Sequence, residues 1–160
     1  FVFSEIGYNL EGSEIGAAFG LVQLEKLSEN IKIRQANFNR QLDFFDKHKE
    51  YFINPVETDL SHTGWLAFPI QLRKNAPFSR KEFQIYLEKR NIQTRVVFTG
   101  NINRQPGFKN INKIVQKGGY PVADYVMEHG VLLPLHHGMS EKMFDKIHNV
   151  IDEFISNFVK

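Results

Sequence analysis

Eight polar side chains stand where a chain often does chemistry, and each has a plain structural alternative. Asn9 lies in Gly7-Tyr8-Asn9-Leu10, a loop leading into a helix start at Ser13. A helix start gathers unpaired N–H groups and the positive end of the dipole, so it favours anions. An amide there can donate to a phosphate oxygen; the alternative is an Asx-turn that satisfies local backbone. Arg95 sits in a strand-like run between apolar neighbours. Pointing inward it needs a carboxylate or a bound anion; pointing outward it is a solvated edge charge. Asn101, Asn103, Arg104 and Gln105 follow the end of that run, a common place for ligand groups, and the Arg104 fork suits a diphosphate. Closed by Pro106-Gly107, the same stretch also reads as a polar surface turn. His136 and His137 are adjacent and on an extended backbone point opposite ways, so they do not read as joint metal ligands. One of them can line a site as a donor while the other meets water. HExxH, GxSxG, the Walker loop and GxGxxG are all absent from the sequence, and no complete catalytic set is visible.

These residues must be held by a small set of elements. Ser13 is a good N-cap, and Ile15, Ala18, Phe19, Val22, Leu24 and Leu27 recur at helical spacing behind it. The pattern continues through Ile31, Ala36, Phe38, Leu42 and Phe45 to Asn54-Pro55. That is long for one helix, so a kink or split is expected at Ser28-Glu29-Asn30. Gly16, Ala17, Ala18 and Gly20 crowd the first turns and suggest close approach of another backbone or subunit. Trp65 to Leu72 reads as a strand. Ser79-Arg80-Lys81-Glu82 is a capping box opening a helix from Arg80 to Arg90, with Asn91 as its C-cap. Ile92 to Phe98 reads as a second strand. Thr99 to Gly119 is a long polar loop, and loops of that length in compact domains tend to be functional or disordered. Pro121 opens a short helix through Met127, Gly130 breaks it, and Val131-Leu132-Leu133 is a third strand. Ser140 caps a last helix with Met143, Phe144, Ile147, Val150, Ile151, Phe154 and Phe158 on one face. The expected fold class is α/β, an α+β sandwich with a small sheet and helices packed on one face, preceded by a long helix.

Composition narrows the partners. Of the 160 residues 42% are apolar and 24% charged, enough for a real core in one domain. A net charge of +2 gives no case for nucleic acid or an anionic membrane surface. No apolar run approaches the roughly 20 residues of a membrane span. Phe1-Val2-Phe3-Ser4 lacks the basic start and apolar stretch of a signal peptide. With no cysteine there is no disulfide or thiolate metal site, which leans toward a cytoplasmic setting. The chain opens on Phe1 already inside a strand or loop, and it reads as a fragment of a larger protein rather than a processed complete domain.

Two runs carry a resemblance. Gly7-Tyr8-Asn9-Leu10, Glu14-Ile15, Ala17-Ala18, Gln23-Leu24-Glu25-Lys26-Leu27 and Arg34 are similar to the DegT-type nucleotide-sugar aminotransferases and dehydratases. Thr94-Arg95-Val96-Val97-Phe98-Thr99-Gly100-Asn101 with Arg104-Gln105-Pro106 resembles the branch of lipopolysaccharide-pathway NDP-4-keto-6-deoxyhexose 3-dehydratases. The resemblance implies the C-terminal small domain of a fold-type I enzyme using pyridoxal or pyridoxamine 5'-phosphate. Residues 1–50 would be the loop and long helix linking a large and a small domain, and residues 51–160 the small domain. It implies a cytoplasmic homodimer with shared active sites, in which Asn9 reaches the cofactor phosphate across the interface. Glu11 and Gly16 depart from the usual pattern, so no phosphate role is carried to Glu11. The Schiff-base lysine of the aminotransferases, or the histidine replacing it in the dehydratases, would lie upstream of Phe1, so no catalytic residue is expected here and the fragment alone is expected to be inactive. Some dehydratases also carry an upstream iron–sulfur cluster and work with a reductase partner. The substrate implied is a nucleotide-activated 4-keto-6-deoxyhexose, with Arg95, Asn101, Arg104, His136 and His137 as its expected contacts. An aminotransferase of the same sugars is the alternative activity, and a non-catalytic α/β dimerisation or binding module is the alternative of another class.

Overall fold

The computed structural model describes residues 12–158. Ser13 caps the first helix, α1, which runs unbroken from Glu14 to Asp46. The expected kink at Ser28-Glu29-Asn30 does not occur, because none of those residues breaks the hydrogen-bond ladder and Leu27 and Ile31 carry the pattern across. The helix also ends before Asn54-Pro55. The chain turns after Asp46 and forms a two-residue strand, β1 (Phe52–Ile53), which was not visible in the sequence because so short a run carries no periodicity.

β2 (Ala67–Leu72) alternates as a half-buried strand should, with Phe68, Ile70 and Leu72 inward. α2 (Arg80–Glu88) starts on the expected capping box, with both reciprocal Ser79–Glu82 bonds present. Its C-cap is Lys89; Asn91 instead supplies the left-handed residue, at φ 59°, that turns the chain toward β3. β3 is only Arg95–Val96, much shorter than the expected Ile92–Phe98. Ile92 and Thr94 are buried beside α2 instead, and the strand is over by Phe98, which takes φ 47°. α3 (Pro121–His129) leads directly into β4 (Gly130–Pro134), and α4 (Glu141–Ser156) closes the chain.

The four strands form one antiparallel sheet in the order β1-β2-β4-β3. Register pairs Phe68 with Leu133 and Ile70 with Val131, so all four point to one face. The second half of α1, with α2 and α4, covers that face. Phe38 and Phe45 of α1 meet Phe68, and Phe83 of α2 meets Phe52 and Phe154. Each such ring contributes about 1.5–3 kcal/mol by burial. One position expected to face the core from α4 does not, since Met143 remains exposed; Phe158, just past the helix end, is partly exposed but packs on Phe78 and Phe154.

α1 and α4 lie parallel, as their matched contacts advance together along both helices. Arg40 reaches Glu141 and Asp145, His148 stacks on Phe44, and His48 meets Asp152 at 2.8 Å. The first half of α1 has no such cover. Ile15, Phe19 and Leu24 are 84%, 67% and 64% exposed.

Candidate functional site

The loop after β3 is fixed onto α3. Gly100 takes φ +62°, and a Cβ there would lie 2.3 Å from the Cβ of Met127 and 2.7 Å from its Cα. Only glycine allows both the backbone conformation and the approach. Asn101 follows and is 5% exposed. Its side-chain oxygen accepts the Asn103 N–H at 3.1 Å, capping the short 3-10 turn Ile102–Arg104. Its amide donates to Oδ1 of Asp124 at 2.7 Å. Arg104 then forks onto the same carboxylate, Nε to Oδ1 at 3.0 Å and Nη2 to Oδ2 at 2.8 Å. Gln105 donates to the Thr99 carbonyl at 3.0 Å and ties the loop to its own start.

Asp124 is the residue that sequence reading missed. It stands in the first turn of α3, where a carboxylate suits the dipole, and that local signal gave no hint of a partner 20 residues back. The Arg104 guanidinium and then the Asn101 amide hold its carboxyl down at about 2. In return the carboxylate raises the Arg104 guanidinium above its ordinary value. Beside this triad lies a cleft of about 270 Å³, lined also by Val115, Gly118, Gly119, Tyr120 and Pro121.

The remaining expected site residues are elsewhere. Arg95 and Val96 are both exposed, which removes the inward-pointing alternative for Arg95. Arg95 instead lines a groove against α2 with Lys81 and Lys89, and it has no ion pair among the described residues. His136 lines a third depression, with Met139 just before α4 and Met143 in its first turn. Its Nδ1 accepts the Gly138 N–H at 3.1 Å and its carbonyl accepts from the Asn37 amide at 3.0 Å, so it shapes a turn and pins it to α1. His137 is exposed on the same turn. Among the described residues no group of His, Asp or Glu could hold a metal ion. Asn9 lies outside the described residues. The structure thus brings together Asn101 and Arg104, adds Asp124, and leaves Arg95 and the two histidines apart.

Comparison with known proteins agrees with this architecture. A model of the DegT/DnrJ/EryC1/StrS aminotransferase family matches residues 1–152. The lipopolysaccharide biosynthesis protein RfbH of Salmonella typhimurium is 31% identical over 154 residues, which are 96% of this chain and 35% of that protein. The dTDP-4-dehydro-2,6-dideoxy-D-glucose 3-dehydratase of Saccharopolyspora spinosa is 31% identical over 98% of this chain and 33% of its own length. A solved structure of E. coli GDP-4-keto-6-deoxy-D-mannose-3-dehydratase with bound hydrated PLP superposes with a TM-score of 0.80 at 27% identity, covering 94% of this chain and 38% of that one. Transaminases of nucleotide sugars are among the relatives as well. The chain spans about a third of the length of the curated relatives it matches. No described helix is long and apolar enough to cross a membrane.

Proposed function

The chain belongs to the DegT/DnrJ/EryC1/StrS aminotransferase family, and from that premise we propose that it forms the C-terminal part of a nucleotide-sugar 3-dehydratase. The substrate would be a nucleotide-activated 4-keto-6-deoxyhexose and the setting cytoplasmic deoxysugar or lipopolysaccharide biosynthesis. The observation that carries this reading is likeness over 92% or more of the chain to three proteins named as 3-dehydratases, one of them at 31% identity; the other two, at 24% and 26%, are no nearer than the transaminases at 27% and 29%. Residues 1–50 would then link a large and a small domain, and 51–160 form the small one, with the second half of α1 built into the small domain's core.

Pyridoxal or pyridoxamine 5'-phosphate is the cofactor of this reading; when bound, it would supply an electron sink as the 3-hydroxyl departs. The Asn101–Arg104–Asp124 cluster offers no ready seat for its phosphate. The Asn101 amide and the Nε–Nη2 edge of Arg104 end on Asp124, and Asn9, the proposed phosphate contact, lies outside the described residues. Their contribution would be on the substrate side, at the cleft beside Arg104. A homodimer with shared active sites is supported by α1, whose first half is apolar on two opposite sides, Ile15, Phe19 and Val22 on one and Leu21 and Leu24 on the other. A sugar aminotransferase is the second reading, favoured by the transaminases among the relatives.

The test is to incubate the complete protein with pyridoxamine phosphate and a GDP- or dTDP-4-keto-6-deoxyhexose and to identify the product sugar by mass spectrometry. Loss of the 3-oxygen is expected. Conversion of a keto group to an amine would replace this reading by the aminotransferase. No turnover of either substrate would favour a non-catalytic module.

A further inference from the structure

Arg104 is placed as a substrate contact, but its surroundings are wrong for the part of the substrate an arginine usually takes. We propose that Asp124 is a positioning residue that converts Arg104 from a free charge into an aimed donor, so that the cleft beside it holds the uncharged hexose of a nucleotide sugar and not its diphosphate. This rests on the nucleotide-sugar reading given above and assigns a part of that substrate to this cleft.

The hydrogen bonds set the case. Asp124 accepts from Asn101 Nδ2, Arg104 Nε and Arg104 Nη2, so its two oxygens are occupied. Asn101 has its oxygen on the Asn103 N–H and its amide on Asp124, and it is 5% exposed. It therefore shapes the loop and is withdrawn from ligand contact. Arg104 has spent the edge that carries Nε, and its side chain remains 64% exposed. What it still offers is the two N–H groups of Nη1 and the second of Nη2, fixed in direction because the guanidinium is planar and held at two points.

Charge decides which ligand those donors suit. Among the described residues Arg104 and Asp124 are the only charged ones lining the cleft, and together they sum to zero. Glu128, one turn on along α3, adds a further negative field at Arg104. A diphosphate seat needs surplus positive charge or a row of free backbone N–H groups; the cleft shows no surplus, and of the backbone groups around it Pro121 has no N–H, that of Gly119 is bonded to the Gln116 carbonyl and that of Asp124 to the Tyr120 carbonyl. It does offer what a sugar ring needs: directional donors on one side, and Val115, Tyr120 and Pro121 as apolar wall on the other. Gly118 and Gly119, at φ +91° and +74°, line the cleft without a side chain.

The pair is also held rigidly. Tyr125, next to Asp124, donates its hydroxyl to the Leu72 carbonyl of β2 at 2.7 Å. Arg80 of α2 donates to the Met127 carbonyl at 2.7 Å. Gly100 closes the loop onto Met127. Asp124 thus stands on a helix fastened to the sheet, and it can fix the loop rather than follow it.

The experiment is calorimetric titration of the complete protein, wild type, Asp124→Asn and Arg104→Gln, with a GDP- or dTDP-hexose and with the matching free nucleoside diphosphate, at two salt concentrations. Both variants should weaken the nucleotide hexose about tenfold, the loss of one bond to a charged donor, and leave the free diphosphate unchanged. The double variant should lose no more than either single one, because both remove the same aimed group. If Arg104 grips the diphosphate, Asp124→Asn frees its charge and tightens both probes, most at low salt, and the proposal is overturned. Equal loss of both probes in Arg104→Gln overturns it as well. Should Asp124→Asn fail to fold, Arg104→Gln decides alone, since its side chain is largely exposed. Wild-type protein that binds neither probe would sink the nucleotide-sugar reading itself, and this proposal with it; wild-type binding of both with diphosphate-sensitive variants sinks only the proposal.

Discussion

Acidification should loosen α1 from α4 through one histidine. The His148 ring lies 4.0 Å from Phe44, parallel within 1°, and its Nε2 is 2.8 Å from Oε1 of the fully buried Gln41. An amide oxygen accepts only, so Nε2 carries the proton of a neutral imidazole. Burial is the main cause that pushes the ring down to about 4, and the nearby Arg40 guanidinium adds to it. The sign follows from proton counts. Unfolded, the imidazole takes a proton below about 6.5; folded, it does so only below about 4. Between those limits the unfolded chain holds more protons, so stability falls as pH falls. At about 1.4 kcal/mol per pH unit, and trimmed because the ring is only half-buried, the loss from pH 7 to pH 5 is about 1–2 kcal/mol. Urea unfolding of the 160-residue chain can be followed by its single tryptophan, Trp65, stacked on Phe38 of α1. His148→Gln keeps a donor for Gln41 and removes the titration, so subtracting it isolates the term. The stability advantage of wild type over this variant should shrink by that amount at pH 5. An advantage that stays constant with pH would refute the reasoning.

Two further outcomes test the local geometry. Gly100→Ala should lift the Asn101–Gln105 loop off α3, costing about 2–4 kcal/mol from left-handed strain and overpacking against Met127; hydrogen exchange at the loop amides should rise, and unchanged protection would show that the approach is not tight. Ser79→Ala should cost about 1 kcal/mol at the start of α2. Because the Ser79 hydroxyl is the first cause holding the Glu82 carboxyl low, that carboxyl should titrate closer to its ordinary value in an NMR titration, and an unmoved Glu82 would remove the capping box as the cause.

Local rules made much of the fold legible. Ser79 with Glu82, Pro121 and the alternation in β2 each speak within four to six residues, and the structure follows them. Failures came where distant packing decides. Ile92-Gln93-Thr94 has strand-forming residues, but Ile92 is drawn into the core beside α2 and Thr94 is engaged by Glu88 and Gln84, so pairing with β4 is left to Arg95–Val96. Ser28-Glu29-Asn30 looked like a break because a 33-residue helix is rare, yet rarity is no local force. The site was half legible for the same reason. Asn101 and Arg104 announced themselves as polar groups after a strand, but what they do is set by Asp124, which no spacing rule links to them.

α1 shows how periodicity can be read in part and its meaning missed. Ile15, Phe19 and Val22 do recur at helical spacing, as expected of a stripe facing one core. Leu24, expected in that same stripe, falls instead with Leu21 on the opposite side of the same turns, and all of these side chains are exposed in this chain. A helix apolar on one face packs against one body; a helix apolar on two opposite faces is built to pass between two. The change comes near Phe38, where Phe38, Gln41, Phe44 and Phe45 are buried together. The first half of α1 therefore draws nothing from the core of this chain, and helices in water are stabilised mainly by what they pack against. Its amides between Glu14 and Glu29 should exchange far faster in the isolated 160-residue chain than those between Phe38 and Asp46. Assembly into the dimer proposed above should remove the difference; equal protection of both halves in the isolated chain would mean that the two-sided apolar surface has no part in holding the helix.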